Sequence, residues 1–264
     1  MSAYYSFIAG LPDLEFDIES DISVPVLYPG ILEEILPEEE LEWIRLLWLR
    51  KFHLEIISWL SGEGHGEGLP SELPVEAFHS ANEAFRDLPA YLQQLVLWKE
   101  NDRGELPPAK IAHRLQQLYF RELLTSGNHF MQEWGEFEMN LLNFLAAHRS
   151  ETSAADKKQQ LIPGNNDYEL LQEYATSQKI VHTEFSAAAK LETLFENANF
   201  LEGELEIDKL RWNAIDEINR FEYFTIDVVL GYFQKLLLLE RWKKIVHSGA
   251  EVNLMEMAKK LIHL

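Results

Sequence analysis

ELEIDKLRWNAIDEINRFEYFTIDVVLGYFQKLLLLERWKKIVH, residues 204–247, contains no proline and a single glycine, Gly231. Its apolar residues recur every three or four positions, which is the period of an α-helix. Around residues 228–239 nearly the whole circumference of that helix is apolar, so other helices must surround it. One stripe comprises Ile207, Leu210, Ala214, Ile218, Phe221, Thr225, Val228, Tyr232, Leu236, Leu239, Trp242 and Val246; a second comprises Ile215, Phe224, Val229, Phe233, Leu237 and Ile245.

The length of this stretch predicts a bend. One unbroken helix would be on the order of 65 Å long at 1.5 Å per residue, which is too long for one compact layer. We therefore expect a bend near Gly231 or in the charged stretch before it. Acids crowd the first half of the stretch and bases the second half, an order that suits the helix dipole.

Composition excludes several classes of protein. The chain has 264 residues and a formal net charge of -21 at pH 7, which argues against nucleic acid as a partner because phosphate contacts require a basic face. It has no cysteine, which excludes disulfides and thiolate chemistry. The N-terminal residues lack a basic region followed by an apolar core, so we expect no signal peptide. No stretch is apolar for long enough to predict a membrane span.

Prolines begin the predicted helices of the first half. Helices are predicted from Pro37 to Gly62, from Pro74 through Phe85, from Pro89, from Pro107 and Pro108, and from Phe130 after a Ser-Gly-Asn break. Two short helices then precede the long stretch, and an amphipathic helix containing Val252 and Ile262 follows it. Residues 4–11 fit either a buried strand or the start of a helix. The alternation of acids and apolar residues over 13–22 fits either a strand or a solvated arm. The sequence as a whole predicts an all-α fold.

The most polar connection divides the chain. Residues 150–166 predict a linker between an N-terminal helical subdomain, 1–149, and a C-terminal helical subdomain, 167–264, that closes on the first.

The motifs that would carry chemistry are incomplete. Glu76 and His79 have the Glu-x-x-His spacing of di-iron bundles, but the chain has no second copy of it. His129 and Glu133 lie one helical turn apart, and a lone pair does not make a metal site. We expect no metal, no cofactor and no catalytic residue. Asp227, on the apolar helix, fits either a perturbed carboxylate or a structural position, namely an outward face or a satisfied interhelical hydrogen bond, and we favour the structural position.

Two groups of residues resemble a known family. Asn143 is followed six positions later by Arg149, and then by Leu161-Ile162-Pro163-Gly164-Asn165. Gly231-Tyr232 leads into Glu240-Arg241-Trp242. This order is similar to the C-type rotor subunit of archaeal and bacterial V/A-type rotary ATPases, the counterpart of the eukaryotic d-type one, although Asn165 replaces a second glycine and the glutamate spacing differs. Tyr4-Tyr5 and the segment Leu11–Leu14 are more similar to a shorter bacterial relative encoded among V/A-type ATPase genes.

The resemblance implies a funnel of helical modules without catalytic chemistry. Such a protein is seated on the membrane proteolipid ring and holds the foot of the central stalk, so that torque passes between the ATPase head and the ion-translocating ring. It implies a cytoplasmic protein held peripherally at the inner membrane by its protein partners. For partner contacts we expect the acid-rich segments 13–21 and 33–42 to attract basic surfaces, and aromatic anchors to come from Trp43, Trp48 and Trp59. The alternatives are a helical-bundle enzyme that binds a metal or another ligand, and an acidic adaptor protein.

Overall fold

Most of the described part of the chain is helical. The computed structural model describes residues 4–16, 27–64, 68–70, 73, 75–78, 84–102, 104, 106–148, 158–164, 168–177, 185–197 and 200–247. Within these ranges no residue belongs to a β-strand, so the all-α prediction is confirmed. Residues 17–22, His79, Arg149, Asn165 and the helix predicted after Gly249 lie outside the described residues.

The helices have the following bounds. In the first half they are α1 Tyr5–Ile8, α2 Leu32–Ile35, α3 Glu38–Leu49, α4 His53–Leu60, α5 Ala90–Asn101 and α6 Pro108–Leu124. In the second half they are α7 His129–His148, α8 Tyr168–Ser177, α9 Ala188–Asn197, α10 Phe200–Ile218 and α11 Ile226–His247. A π-helical turn spans Leu27–Ile31, and 3-10 turns span Arg50–Phe52, Val75–Phe78 and Ala84–Asp87.

Prolines precede helices as predicted. Pro37, Pro89 and Pro107 each lie immediately before the first residue of a helix, where a missing N–H costs no helical hydrogen bond. Gly62, at φ 81°, follows the end of α4 in the left-handed conformation that ends many helices. The helix predicted from Pro37 to Gly62 is nevertheless divided by the 3-10 turn at Arg50–Phe52.

The prediction of a helix from Pro74 through Phe85 is wrong. The described residues there form two short 3-10 turns instead of one α-helix. Ala77 and Phe78 are buried all the same. So short a segment gains little from helix propensity, and its tertiary contacts decide its conformation.

The stretch that predicted one long bent helix forms an antiparallel pair, α10 and α11. The chain reverses in the charged segment 219–225, which is one of the two expected positions, while Gly231 lies inside α11. Phe221 and Phe224 were predicted to lie in the apolar stripes, and this is wrong: they are 79% and 40% exposed. The turn is held by backbone hydrogen bonds and by the Asn219 side chain, which donates to the Asp227 carbonyl over 3.0 Å.

Helix α7 contacts more of the fold than any other described helix. It packs against α6, α8, α10 and α11, and α11 also packs against α3. A main core lies between α2–α7, one face of α10 and the middle of α11. A second core lies between the C-terminal half of α7, α8, α9 and the N-terminal half of α10. Both cores draw residues from each side of the predicted linker. The division into 1–149 and 167–264 stays a prediction.

None of the helices in the described part is both long enough and apolar enough to cross a bilayer.

A buried histidine lies within the main core. His53 is 2% exposed, with Nδ1 3.2 Å from Arg50 Nη1 and Nε2 3.2 Å from the Tyr91 hydroxyl. A guanidinium can only donate, so Nδ1 accepts and Nε2–H donates to Tyr91. Burial and then the charge of Arg50 lower the pKa of His53 well below its usual value. The ring is therefore neutral at neutral pH.

We predict that His53 makes the protein less stable as the pH falls. The contribution of the neutral His53 ring to the free energy of unfolding is complete above the unfolded-state pKa of about 6.5. Below that pH it decreases by about 1.4 kcal/mol per pH unit, because only the unfolded chain then binds the proton. His53→Gln should flatten the dependence of the unfolding free energy on pH between about 6.5 and 5, measured by urea denaturation. His129→Gln, at an exposed histidine, is the control. Equal slopes for the two variants would contradict the prediction.

Gly231 lies where α11 comes closest to the end of α10. A Cβ at this position would be 2.1 Å from Asn219 Nδ2, 3.0 Å from Ile215 Cγ2 and 3.2 Å from Phe130 Cε2. The absence of a side chain therefore lets the Asn219 amide reach the Asp227 carbonyl. A glycine costs roughly 1 kcal/mol in a helix interior, and the close approach accounts for its presence here.

We predict that Gly231→Ala destabilises the protein by about 1–2 kcal/mol despite the better helix propensity of alanine. The methyl group would displace the Asn219 amide from its hydrogen bond. The free energy of unfolding in urea measures the effect, and Gly30→Ala, with no atom within 4 Å of the new Cβ, is the control. In an Asn219→Ala background the cost should shrink. A Gly231→Ala protein as stable as the parent would refute this account.

Candidate functional site

The two halves of the first family motif meet in the structure. Asn143, on the buried side of α7, donates from Nδ2 to the Ile162 carbonyl over 2.8 Å and accepts at Oδ1 from the Ile162 N–H over 2.6 Å. Pro163 and Gly164 follow directly, and Gly164 has φ 123°, a conformation that side chains disfavour. An asparagine is suited to this position because it presents a donor and an acceptor side by side. Asn143 thus fixes the turn against α7.

The second motif lies along α11, and three of its five residues, Gly231, Tyr232 and Arg241, face different surroundings. Gly231 faces α10 and α7. Tyr232 is half-buried and packs against the main core, and its pKa is raised to about 12 by burial and then by the negative charge of Asp13. Arg241 lies further along α11 and contacts the carboxylates of Asp208 and Glu204.

Arg241 belongs to an ionic cluster between α7, α10 and α11. Asp208, which has no exposed surface, accepts from Arg211 Nη1 at 2.8 Å, from Trp242 Nε1 at 2.7 Å and from Arg241. Arg211 also binds Glu138 of α7. Burial alone would lower the pKa of Arg211, but the charges of Glu138 and Asp208 outweigh it and raise the pKa. Every charge of the cluster has a partner of opposite sign. Such an arrangement is typical of contacts that hold helices together.

The N-terminal segment, which includes Tyr4-Tyr5 and Leu11–Leu14 of the family resemblance, contacts the pair of helices α10 and α11 and the start of α3. The Tyr4 hydroxyl donates to Glu40 at the start of α3, and the Tyr5 ring lies 4.6 Å from the Phe224 ring. Phe16 packs edge-on against Trp212 of α10, with ring centroids 5.3 Å apart, and against Trp242. Residues 13–16 form neither strand nor helix. The N-terminal segment therefore contacts the α10–α11 pair through Tyr5 and Phe16.

An exposed aromatic group marks the turn between α10 and α11. Phe221, Tyr223 and Phe224, which we call the aromatic tip, are 79%, 68% and 40% exposed. The neighbouring Tyr5 is 49% exposed. Sequence periodicity assigned Phe221 and Phe224 to the core, so the tip was missed. The signal available in the sequence was the cluster of Asn219, Arg220 and Glu222 among the aromatic residues, a composition typical of a turn.

The three predicted tryptophan anchors lie elsewhere. Trp48 is 7% exposed, and Lys51 Nζ lies 5.2 Å from its ring centroid. Trp43 and Trp59 are half-buried and pack against the main core, and Trp59 also contacts Phe78. Trp48 has almost no surface to offer a partner, whereas partner contact through Trp43 or Trp59 stays a prediction.

The remaining polar candidates are accounted for by local contacts or exposure. Asp227 is buried, so the outward face is wrong, and it accepts a hydrogen bond from Asn128 Nδ2 just before α7, which fits the other structural position that we favoured. His129 and Glu133 are both exposed on α7. Among the described residues, no group of three or more His, Asp or Glu is placed to hold a metal ion. The side chain of Glu76 and the whole of His79 lie outside the description.

One family model matches nearly the whole chain. It covers residues 1–263 and is described as a protein of unknown function, DUF2764. No curated protein and no solved structure matches the sequence.

We predict that Asn143→Ala costs about 2–4 kcal/mol of stability, because the buried N–H and C=O of Ile162 both lose their partner. The measurement is the free energy of unfolding in urea. Asn213→Ala, at an exposed position of α10, should change it by less than about 0.5 kcal/mol. Asn143→Asp keeps the acceptor but not the donor, and should also destabilise. Equal stabilities for the Asn143 and Asn213 variants would show that the pairing is dispensable.

Proposed function

We propose that this chain, which belongs to the DUF2764 family, is a non-catalytic part of the central rotor of a V/A-type ATPase. In this role it couples the central stalk to the membrane proteolipid ring during ATP-driven or ATP-forming ion transport. It works in the cytoplasm, held at the inner membrane by its protein partners.

The observation that carries the proposal is the pairing of Asn143 with Ile162. In the family that the sequence resembles, an asparagine on a helix precedes an Ile-Pro-Gly turn. Here the asparagine binds the backbone of the isoleucine in that turn through two hydrogen bonds. Asn143 and the turn that begins with Ile162 are therefore one physical unit in the folded chain. This supports the resemblance more strongly than the order of the residues in the sequence alone.

The architecture suits a mechanical role. A protein that couples rotor parts must transmit torque without sliding of its own helices. Helix α7 is joined to α10 by Glu138 and Arg211, and to α11 by Asn128 and Asp227. These contacts are directional, unlike apolar packing, and they resist displacement of one helix along another.

The charge of the chain suits binding to other proteins. With 44 acidic residues against 23 basic ones, it attracts basic surfaces and repels a second copy of itself. The exposed acids at the start of α3, among them Glu38 and Glu39, lie in the acidic segment 33–42. Such charges mainly accelerate and orient the encounter with a partner.

We predict that the tagged full-length chain, purified from native membranes in mild detergent, retains the proteins of the central stalk and the proteolipid ring. Mass spectrometry identifies them, and their recovery should fall in part as salt rises, because exposed charges are screened. An untagged strain is the control. Recovery of the chain without any ATPase component at low salt would reject the coupling role. Recovery with basic proteins of another kind would favour the alternative of an acidic adaptor.

A further inference from the structure

We infer that the aromatic tip, Phe221, Tyr223 and Phe224, is the anchor by which this chain binds the central stalk, in an apolar pocket bordered by lysine or arginine. The identity of the partner rests on the proposed function. The assignment of the binding residues rests on the exposure, the rigidity and the charge of the tip.

Exposure is the first observation. Phe221 and Tyr223 are the two most exposed large hydrophobic side chains of the described residues, and Phe224 and Tyr5 extend the same surface through their ring contact. Scattered single apolar residues are ordinary on a protein surface, but adjacent aromatic side chains point to an interaction site. Aromatic residues are also those that contribute most to binding at protein interfaces.

Rigidity is the second observation. The base of the tip is fixed by Asn219, which donates to the Asp227 carbonyl in a space that Gly231 leaves open. The Thr225 hydroxyl donates to Glu222 over 3.0 Å, and the Glu222 N–H donates to the Asn219 carbonyl. A turn held in one conformation loses little entropy on binding, so its exposed rings form a ready binding surface.

Charge is the third observation, and it selects the partner. Beside the tip, Arg220 pairs with Glu217 and Lys235 pairs with Asp216, so Glu222 leaves one net negative charge. Tyr4, next to Tyr5, donates to Glu40, and the neighbouring Glu38 and Glu39 of α3 are exposed. This net negative charge, on a chain with a formal charge of -21, disfavours a second copy of this chain and an anionic membrane surface. It favours a protein pocket with a basic border.

The test is a binding titration of the purified full-length chain against the assembled central stalk of the same ATPase. Phe221→Ser combined with Tyr223→Ser should raise Kd by about tenfold or more, because both side chains lie on the surface and contribute chiefly to the interface. Leu97→Ser, at a 42% exposed position of α5, is the matched control and should change Kd by less than about twofold. Circular dichroism and an unchanged thermal midpoint establish that the variants are folded.

A second variant tests the charge argument. Glu217→Gln combined with Glu222→Gln should weaken the dependence of Kd on salt, since rim charges act mainly through long-range attraction. If the dependence of Kd on salt were unchanged in this variant, the inference that lysine or arginine borders the partner's pocket would be overturned.

The outcomes separate the two proposals. Binding of the parent chain with equal Kd for the Phe221/Tyr223 variant would overturn the role of the tip and leave the coupling role intact. Failure of the folded parent to bind the stalk would overturn both. A third outcome is that the Phe221/Tyr223 variant binds the stalk unchanged but loses self-association or binding to anionic lipid vesicles. That result would assign the tip to a different occupant and overturn the inference.

Discussion

Asp208 is the group on which the arrangement of the second half depends. It has no exposed surface, and its carboxylate accepts from Arg211, Arg241 and Trp242. Burying a carboxylate costs several kcal/mol unless partners of opposite charge and hydrogen bonds replace its hydration. The required donors come from both α10 and α11, and Arg211 in turn binds Glu138 of α7. The three helices therefore satisfy the buried charge only in one relative rotation, a restriction that apolar contacts alone do not impose.

The opposite end of the same helical pair is fixed by a second set of polar contacts. Asn128, just before α7, binds the Asp227 carboxylate, and Asn219, just after α10, binds the Asp227 carbonyl. The α10–α11 pair is thus held to the middle of α7 through Glu138 and to its start through Asn128. Gly231 completes this end by allowing close approach. A helical pair fixed at both ends displays its connecting turn in a defined direction.

Proline positions and the helical period predicted most of the helices, because both are local properties of the chain. The length of residues 204–247 predicted a bend, with the charged stretch before Gly231 as one of two positions. A complete reversal at 219–225 was not predicted, since Phe221 and Phe224 continue the apolar period while the turn depends on contacts of Asn219 with Asp227 and Gly231. The ionic cluster was equally inaccessible, because Glu138 lies far from Arg211 in sequence. The resemblance selected Asn143, but only the structure gave its partner. Helical spacing does not tell which of two apolar faces is covered: Trp48 is buried, whereas Trp43 and Trp59 are half-buried and partner contact through them stays a prediction.

The internal ion pairs also shape the surface that a partner meets. Basic residues are the minority, 23 against 44, and several of the described ones are occupied inside the fold or along helices. Arg211 and Arg241 face buried carboxylates, and Lys51 lies against Glu240 and the ring of Trp48. Each such pair withdraws one positive and one negative charge, so the net charge of -21 stays with exposed acids such as those at the start of α3. This negative charge directs basic surfaces toward the chain, where the aromatic side chains supply short-range contact.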